Sequence, residues 1–503
     1  MTAMTPQQLQ LSAVTHYLTR WVDLKWLILF TVVFTIFVTA IDSTLLWILL
    51  PTLAEEFNTD ASTIIWIGMS HLVVSGGLLL IFGRLGDAGG KSRLFILGSI
   101  IFAIGTCLAP LAPSVLVLIM IRMFVGVGYA LIMSNRDALL TMTFPQKQKG
   151  LAIGLQGIGL GLGLALGPLL AGIFVEVLSW QAVFWCIAPI AWFAALLTLI
   201  VLPRDGKVSK SDINIYQAML LFLTLSSAIV MLNQSVRIGL TNPLTLGSAL
   251  IGLTSLLCFL AVQKNTQKSI IDFTLFKSKV YSLGLTVLLA IYLVTNATAA
   301  ITPFLLIHGF GYSATKTGLL SSLLHGIRPI CSPITGWLWA RMSSNPLWLV
   351  GNIILIGGIF LSGIAGNSSN PTLVIFGGFT LIGWGTAMIE TTSGSTILAT
   401  TDSNRLGSAS ASVATFRQIG LALGSTFGMA MFVLITAQLT GTNASDITPH
   451  TITQSTLISS INTTLFICGA IAVLVTLFML LYWKPLDKEI TSLLFPLKKP
   501  SNR

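Results

Sequence analysis

About fourteen apolar stretches, each near the roughly 20 residues that a membrane-crossing helix needs, follow one another with only short polar breaks. They run over residues 26–50, 64–82, 94–112, 114–134, 150–175, 181–201, 215–232, 244–262, 280–306, 314–340, 347–366, 371–397, 408–437 and 459–483. Lipid offers backbone polar groups no partner, so stretches of this kind must close their hydrogen bonds internally as helices. The expected fold is therefore an all-α polytopic membrane protein. Composition agrees: only 9% of the 503 residues are charged, against about 25% in soluble domains.

The net charge of +11 is distributed by side. Placing the N-terminus in the cytoplasm puts nearly all Lys and Arg in inner segments and leaves only Arg237 and Lys316 outside, while the first outer loop carries Glu55, Glu56 and Asp60. This asymmetry follows the rule that positive loops stay in the cytoplasm. It predicts a multi-pass protein of the inner (plasma) membrane with both termini cytoplasmic, and it accounts for the basic excess without nucleic acid. The polar first 25 residues lead into a span too long for a signal-peptide core, so no cleavage is expected. The five cysteines lie singly in different spans without metal or redox spacing, and five scattered histidines add no catalytic cluster. No metal, cofactor or enzymatic centre is expected.

Internal similarity divides the chain. Asp42-Ser-Thr44 matches Asn296-Ala-Thr298 and His71 matches His325, both at an offset of 254 residues. Gly83-Arg-Leu85 matches Gly336-Trp-Leu338 at 253, and Gly163-Leu-Ala-Leu-Gly167 recurs as Gly420-Leu-Ala-Leu-Gly424 at 257. The expected organisation is an N-terminal segment (1–25), a six-helix bundle (26–202), an inserted helix pair with linkers (203–279), a second six-helix bundle (280–484) and a basic tail (485–503). Such repeats are typical of secondary transporters, which bind substrate near the midplane between repeats.

Several stretches then carry a family resemblance. Ile41-Asp-Ser-Thr-Leu-Leu-Trp-Ile-Leu-Leu-Pro51 resembles the first-helix signature of the fourteen-helix drug:proton antiporter branch of the major facilitator superfamily. Gly83-Arg-Leu-Gly-Asp-Ala-Gly-Gly-Lys-Ser-Arg93 resembles that superfamily's loop between helices two and three, and Leu118-Ile-Met-Ile-Arg122 with Gly126 resembles its fourth-helix arginine motif. Gly154 through Gly167-Pro168 and Gly172 is similar to the fifth-helix antiporter motif, and Arg417-Gln-Ile-Gly420 to the thirteenth-helix signature. Trp47, Leu49, Val125 and Ala88 depart from the usual residues. The resemblance implies a major facilitator fold with 6 + 2 + 6 helices and a proton-coupled, multidrug-efflux type of transport.

The site candidates come from charge and depth. A carboxylate at membrane depth costs about 2.5–3.5 kcal/mol on insertion scales, which makes Asp42 in the first span a functional candidate. At 1.5 Å per residue Asp42 lies roughly 13 Å, and Arg122 roughly 12 Å, from the outer ends of their helices, so the two share a level. Burial opposes a carboxylate's charge and a neighbouring arginine favours it, which ties proton binding to water access. Asp42 is thus the candidate proton carrier with Arg122 as partner; a static ion pair is the plainer alternative. Glu390 is a candidate for substrate contact or a second proton site, or else an inner ion pair with Arg417.

His325 and Arg328 share a helix face, with His71 as symmetry mate of His325. Histidine titrates near neutral pH, although a buried histidine is commonly a packing residue. Arg328 has no acid on its own helix and is a candidate for an anionic substrate group. Trp47 and Trp384, with Trp66 and Phe304, are candidates for an aromatic pocket. Gly83, Asp87 and Arg93 are expected to form a cytoplasmic latch, with Asp87 accepting from a helix N-terminus or an arginine. Gly163, Gly167 and Pro168 are expected to serve helix packing and bending, including contact between halves, and not phosphate binding, since no strand precedes them.

The expected activity is export of hydrophobic or amphipathic compounds by a monomer in exchange for protons, powered by the proton gradient and not by nucleotide. Export of a lipid, lipid precursor or anionic metabolite is the alternative, favoured by two intramembrane acids against three arginines. A sensor or scaffold is a remoter one.

Overall fold

The computed structural model describes residues 23–86, 90–145, 148–203, 215–237, 239, 241–264, 275–339, 341–342, 344–401, 406–441 and 452–481. All regular structure among them is helical. The helices are α1 (Leu24–Glu56), α2 (Trp66–Leu85), α3 (Lys91–Leu108), α4 (Val115–Thr143), α5 (Lys149–Val177), α6 (Trp180–Val201), α7 (Ile215–Arg237) and α8 (Pro243–Lys264). They continue as α9 (Lys279–Phe304), α10 (Ala314–Gly326 and Arg328–Trp339), α11 (Ser344–Gly363), α12 (Pro371–Ala399), α13 (Leu406–Thr440) and α14 (Gln454–Leu481). Among the described residues eleven helices are long and apolar enough to cross a membrane. Of the other three, α2 and α7 offer shorter apolar runs, and α10 is divided at Ile327. Pro329 has no N–H for the helix ladder, which is why the single span expected over 314–340 is a broken one.

Short polar residues start the helices where the apolar runs begin. Ser114, Ser179, Ser278 and Ser313 accept from the backbone N–H three residues on at 3.2–3.4 Å, and Asn370 does the same for α12 at 3.3 Å. Each cap satisfies an orphan donor of the first turn. Within the spans, hydroxyls return to carbonyls of the preceding turn, as Thr35 does to Thr31 and Thr436 to Phe432. The outward surface is apolar, with Leu116, Phe193, Leu250 and Leu474 more than half exposed, and lipid covers it.

Helices α1–α6 and α9–α14 pack alike. Helix α1 lies on α5 and α6 as α9 lies on α13 and α14, and α2 on α4 as α10 on α12. The acceptors correspond although the donors do not: Thr44 donates to the Leu164 carbonyl at 3.1 Å, and Asn296, the match of Asp42, donates to the Leu421 carbonyl at 2.5 Å. The halves meet along α2 with α13 and α5 with α10, while α7 lies against α2 and α13 and pairs with α8.

The glycine motif serves this packing mainly inside each half. A Cβ on Gly167 would sit 2.6 Å from the Ile41 carbonyl, and one on Gly420 would sit 2.6 Å from that of Leu289. Gly163 likewise faces Phe37 and Ala40 of α1. Contact between halves, which the sequence reading also assigned to this stretch, is made by Pro168 against Gly318, together with Gly161 against Pro329 and Gly172 against Ala314 and Thr315.

Candidate functional site

Asp42 and Arg122 are in contact. Arg122 Nη1 donates to Asp42 Oδ1 at 2.9 Å and Nη2 to Oδ2 at 2.8 Å, with both side chains fully buried. The fork of the guanidinium matches the carboxylate, the strongest pairing geometry available to the two groups. Close packing of α4 makes it possible, since Gly126 abuts the His71 backbone and Gly128 that of Phe102 and Gly98. Arg122 Nε has no partner among the described residues.

Between the halves lies a cavity of about 560 Å³, within the range typical of small-molecule sites. Arg122 lines it and Asp42 lies behind, so the guanidinium stands between carboxylate and open space. From the second half, Glu390 on α12, Arg328 on α10, and Arg417 and Gln418 on α13 face the same space. Arg328 Nη1 approaches Glu390 Oε2 at 3.5 Å. The sequence reading left Arg328 without an acid because none lies on α10; α12, packed beside it, supplies one. Arg417 forms no ion pair within 4 Å among the described residues, although the charge of Glu390 acts on it.

His71 and His325 both border the cavity. Neither ring nitrogen of His71 has a partner among the described residues, nor has Nδ1 of His325, and the His71 ring meets Tyr129 edge-on at 4.9 Å. Trp47 lines the wall against Gly68. Trp384 does not: Gly383 faces α10 and Gly385 faces α11, which turns the side chain between them outward, 43% exposed. Trp66 and Phe304 are also absent from the lining, and Phe304 stacks on Phe432 instead. Pocket aromatics the sequence reading missed are Tyr129 and Tyr292. Both carried a signal, since Tyr129 lies seven residues after Arg122 and Tyr292 four before Asn296, spacings that share a helix face.

Gly83 lies in the last turn of α2 beside Ser134 of α4, and Arg93 is exposed in the first turn of α3. Asp87, the centre of the expected latch, lies outside the described residues.

The cavity has one open end. Along α5 and α10, contacts between Gly161 and Pro329, Ala165 and Gly326, Pro168 and Gly318, and Gly172 and Ala314 close the side far from the start of α1. Gln418 donates to Ser75 at 2.8 Å across α13 and α2. At the far end Glu176 accepts from the Thr315 N–H at 2.8 Å, and Glu55 lies 3.7 Å from His308. Towards the end where α1 begins, Gly154 and Gly157, both in the cavity wall, face open space.

Two pseudo-symmetric helical halves around one charged cavity, open at one end, define a multi-pass membrane transporter. The family model described as Major Facilitator Superfamily matches residues 32–425, and the chain belongs to that superfamily. It is similar to the riboflavin transporter RibZ of Clostridioides difficile (27% identity over 81% of this chain and 88% of that protein). It is also similar to the multidrug resistance protein Stp of Mycobacterium tuberculosis (23% identity, 79% of this chain and 73% of that protein). Among solved structures, a bacterial homologue of the human lysosomal transporter Spinster superposes with a TM-score of 0.68 at 15% identity, covering 93% of this chain and 98% of the other.

Proposed function

We propose that this chain is a proton-coupled antiporter of the fourteen-helix drug:proton branch, exporting hydrophobic or amphipathic compounds from the cytoplasm by alternating access. The observation that carries the reading is the Asp42–Arg122 pair, fully buried at the cavity wall. A proton arriving at Asp42 cancels the attraction that holds Arg122, and departure of the proton restores it. The pair is thus a two-state element that a proton biases, which is what coupling requires. The basic segments of the sequence make the open end cytoplasmic, so the conformation is the one that loads substrate from inside. The proton gradient supplies the energy with no cofactor, and one chain encloses the whole cavity, which supports a monomeric unit in the inner membrane. Similarity to Stp supports the multidrug reading; similarity to RibZ supports a transporter of one amphipathic metabolite.

Asp42→Asn tests coupling directly. In proteoliposomes with an imposed pH gradient, the variant is expected to lose gradient-driven accumulation while retaining substrate binding and gradient-independent exchange. Accumulation that still follows the gradient would sink the proposal.

A further inference from the structure

Charge does not balance in the cavity. Its wall and the carboxylate behind Arg122 bring together three guanidiniums, of Arg122, Arg328 and Arg417, and two carboxylates, of Asp42 and Glu390. Asp42 is committed to Arg122 through both oxygens. Glu390 is left to serve two cations: it touches Arg328 and acts on Arg417 from farther away. Asp137, the next acid towards the open end, also acts on Arg417 from a distance, but it is half exposed and already held by Gln156 at 2.7 Å and Arg136 at 3.4 Å. One guanidinium of the cavity therefore has no carboxylate of its own within 4 Å among the described residues. A cation at this depth is costly and tends to mark a ligand path.

We propose that Arg417 is an anion subsite, and that the transported compound carries an oxyanion, a carboxylate or a phosphate ester, on an apolar or aromatic body. This inference deepens the transport reading above and rests on it for the word transported; binding itself does not depend on coupling. A guanidinium presents a planar fork that an oxyanion fills with two hydrogen bonds. Tyr292 and Tyr129 stand near Arg417 and border the same space, offering ring surface to the body next to a charged head. His71 and His325 also border this space. Trp47 and the prolines of α10 supply apolar wall. The subsite comes from the second half and the proton pair from the first, so ligand and proton occupy different halves of one cavity.

The test uses the purified full chain and three probes that share one naphthyl-alkyl body and end in a carboxylate, a phosphate ester or a quaternary ammonium. Binding is followed without any gradient by quenching of tryptophan fluorescence. The expected result is that at least one anionic probe binds about tenfold or more tightly than the ammonium, a difference of about 1.4 kcal/mol. Arg417→Gln is expected to erase the preference, and Arg417→Lys, which keeps the charge but not the fork, to keep part of it. Preference for the ammonium probe, or a preference that survives Arg417→Gln in a variant with parental thermal stability, overturns the subsite. If Arg417→Lys alone is folded, its anion affinity must fall, and an unchanged affinity is an equal refutation. Loss of gradient-driven transport in Asp42→Asn bears on coupling separately, so the two readings fail by different results. Which anion wins distinguishes a lipid-like phosphate cargo from a carboxylate metabolite.

Discussion

Arg122→Leu is expected to destabilise the folded protein by about 3–5 kcal/mol, the cost of leaving one member of a buried pair without the other. Asp42 accepts nothing else from the described residues, and its helix position behind Arg122 keeps it from the cavity water that would otherwise solvate it. The variant has two ways to relieve the cost, by protonating Asp42 or by opening α1 from α4, and either removes the proton-dependent element. Thermal unfolding in detergent should show the loss, and accumulation in proteoliposomes should vanish. The double variant Asp42→Asn, Arg122→Leu separates structure from coupling. Removing both charges spares the orphaned-charge penalty, so most of the stability returns while gradient-driven accumulation stays absent. The coupling energy between the two sites, read from the cycle of four proteins, is the quantity that decides. A cycle with no coupling energy, together with accumulation retained in Arg122→Leu, would remove the pair from both folding and mechanism.

The approach of these two residues is legible in sequence because helices in lipid are nearly straight rulers. A rise of 1.5 Å per residue converts position into depth, and a lone acid and a lone arginine at one depth have few alternatives to each other. The same arithmetic matched Glu390 with Arg417 and missed Arg328, because depth says nothing of azimuth. Which of two arginines the acid meets is decided by how α10, α12 and α13 pack around it. Azimuth also defeats the aromatic reading. Trp384 has the right depth and residue type, yet the glycines at 383 and 385 dock α12 on two neighbours and send the indole out to lipid. Helix number and the twofold repeat were legible from hydropathy and from the 254-residue offset. The division of the glycine motif between contacts within a half and across halves was not, since small residues announce close approach without naming the partner.

That division leads to the second large effect, at Gly172. Its Cβ position is blocked by backbone, the Ala314 carbonyl and the Thr315 Cα at 3.0 Å, and Gly318 one turn along faces the Pro168 carbonyl in the same seam. Backbone of two packed helices cannot step aside as a side chain can, so a leucine at 172 must separate α5 from α10 at the closed end. Gly167 is equally crowded, but by Thr44 and Ile41 of its own half, so the same change there disturbs the bundle and not the seam. Gly172→Leu is therefore expected to fold and to shift the protein towards a state open at the far end. The measurement is alkylation of Ser332→Cys, a cavity-lining position, by a membrane-impermeant maleimide in a background where the five native cysteines, all free, are replaced. Labelling from the far side should rise and labelling from the opposite side fall, with transport reduced about tenfold or more, as expected once one orientation is disfavoured by roughly 1.4 kcal/mol or more. Gly167→Leu should instead lower thermal stability without a sided change in labelling. Far-side labelling that stays at the parental level in a Gly172→Leu protein that still transports would mean that α5 and α10 are not the seam that closes the cavity.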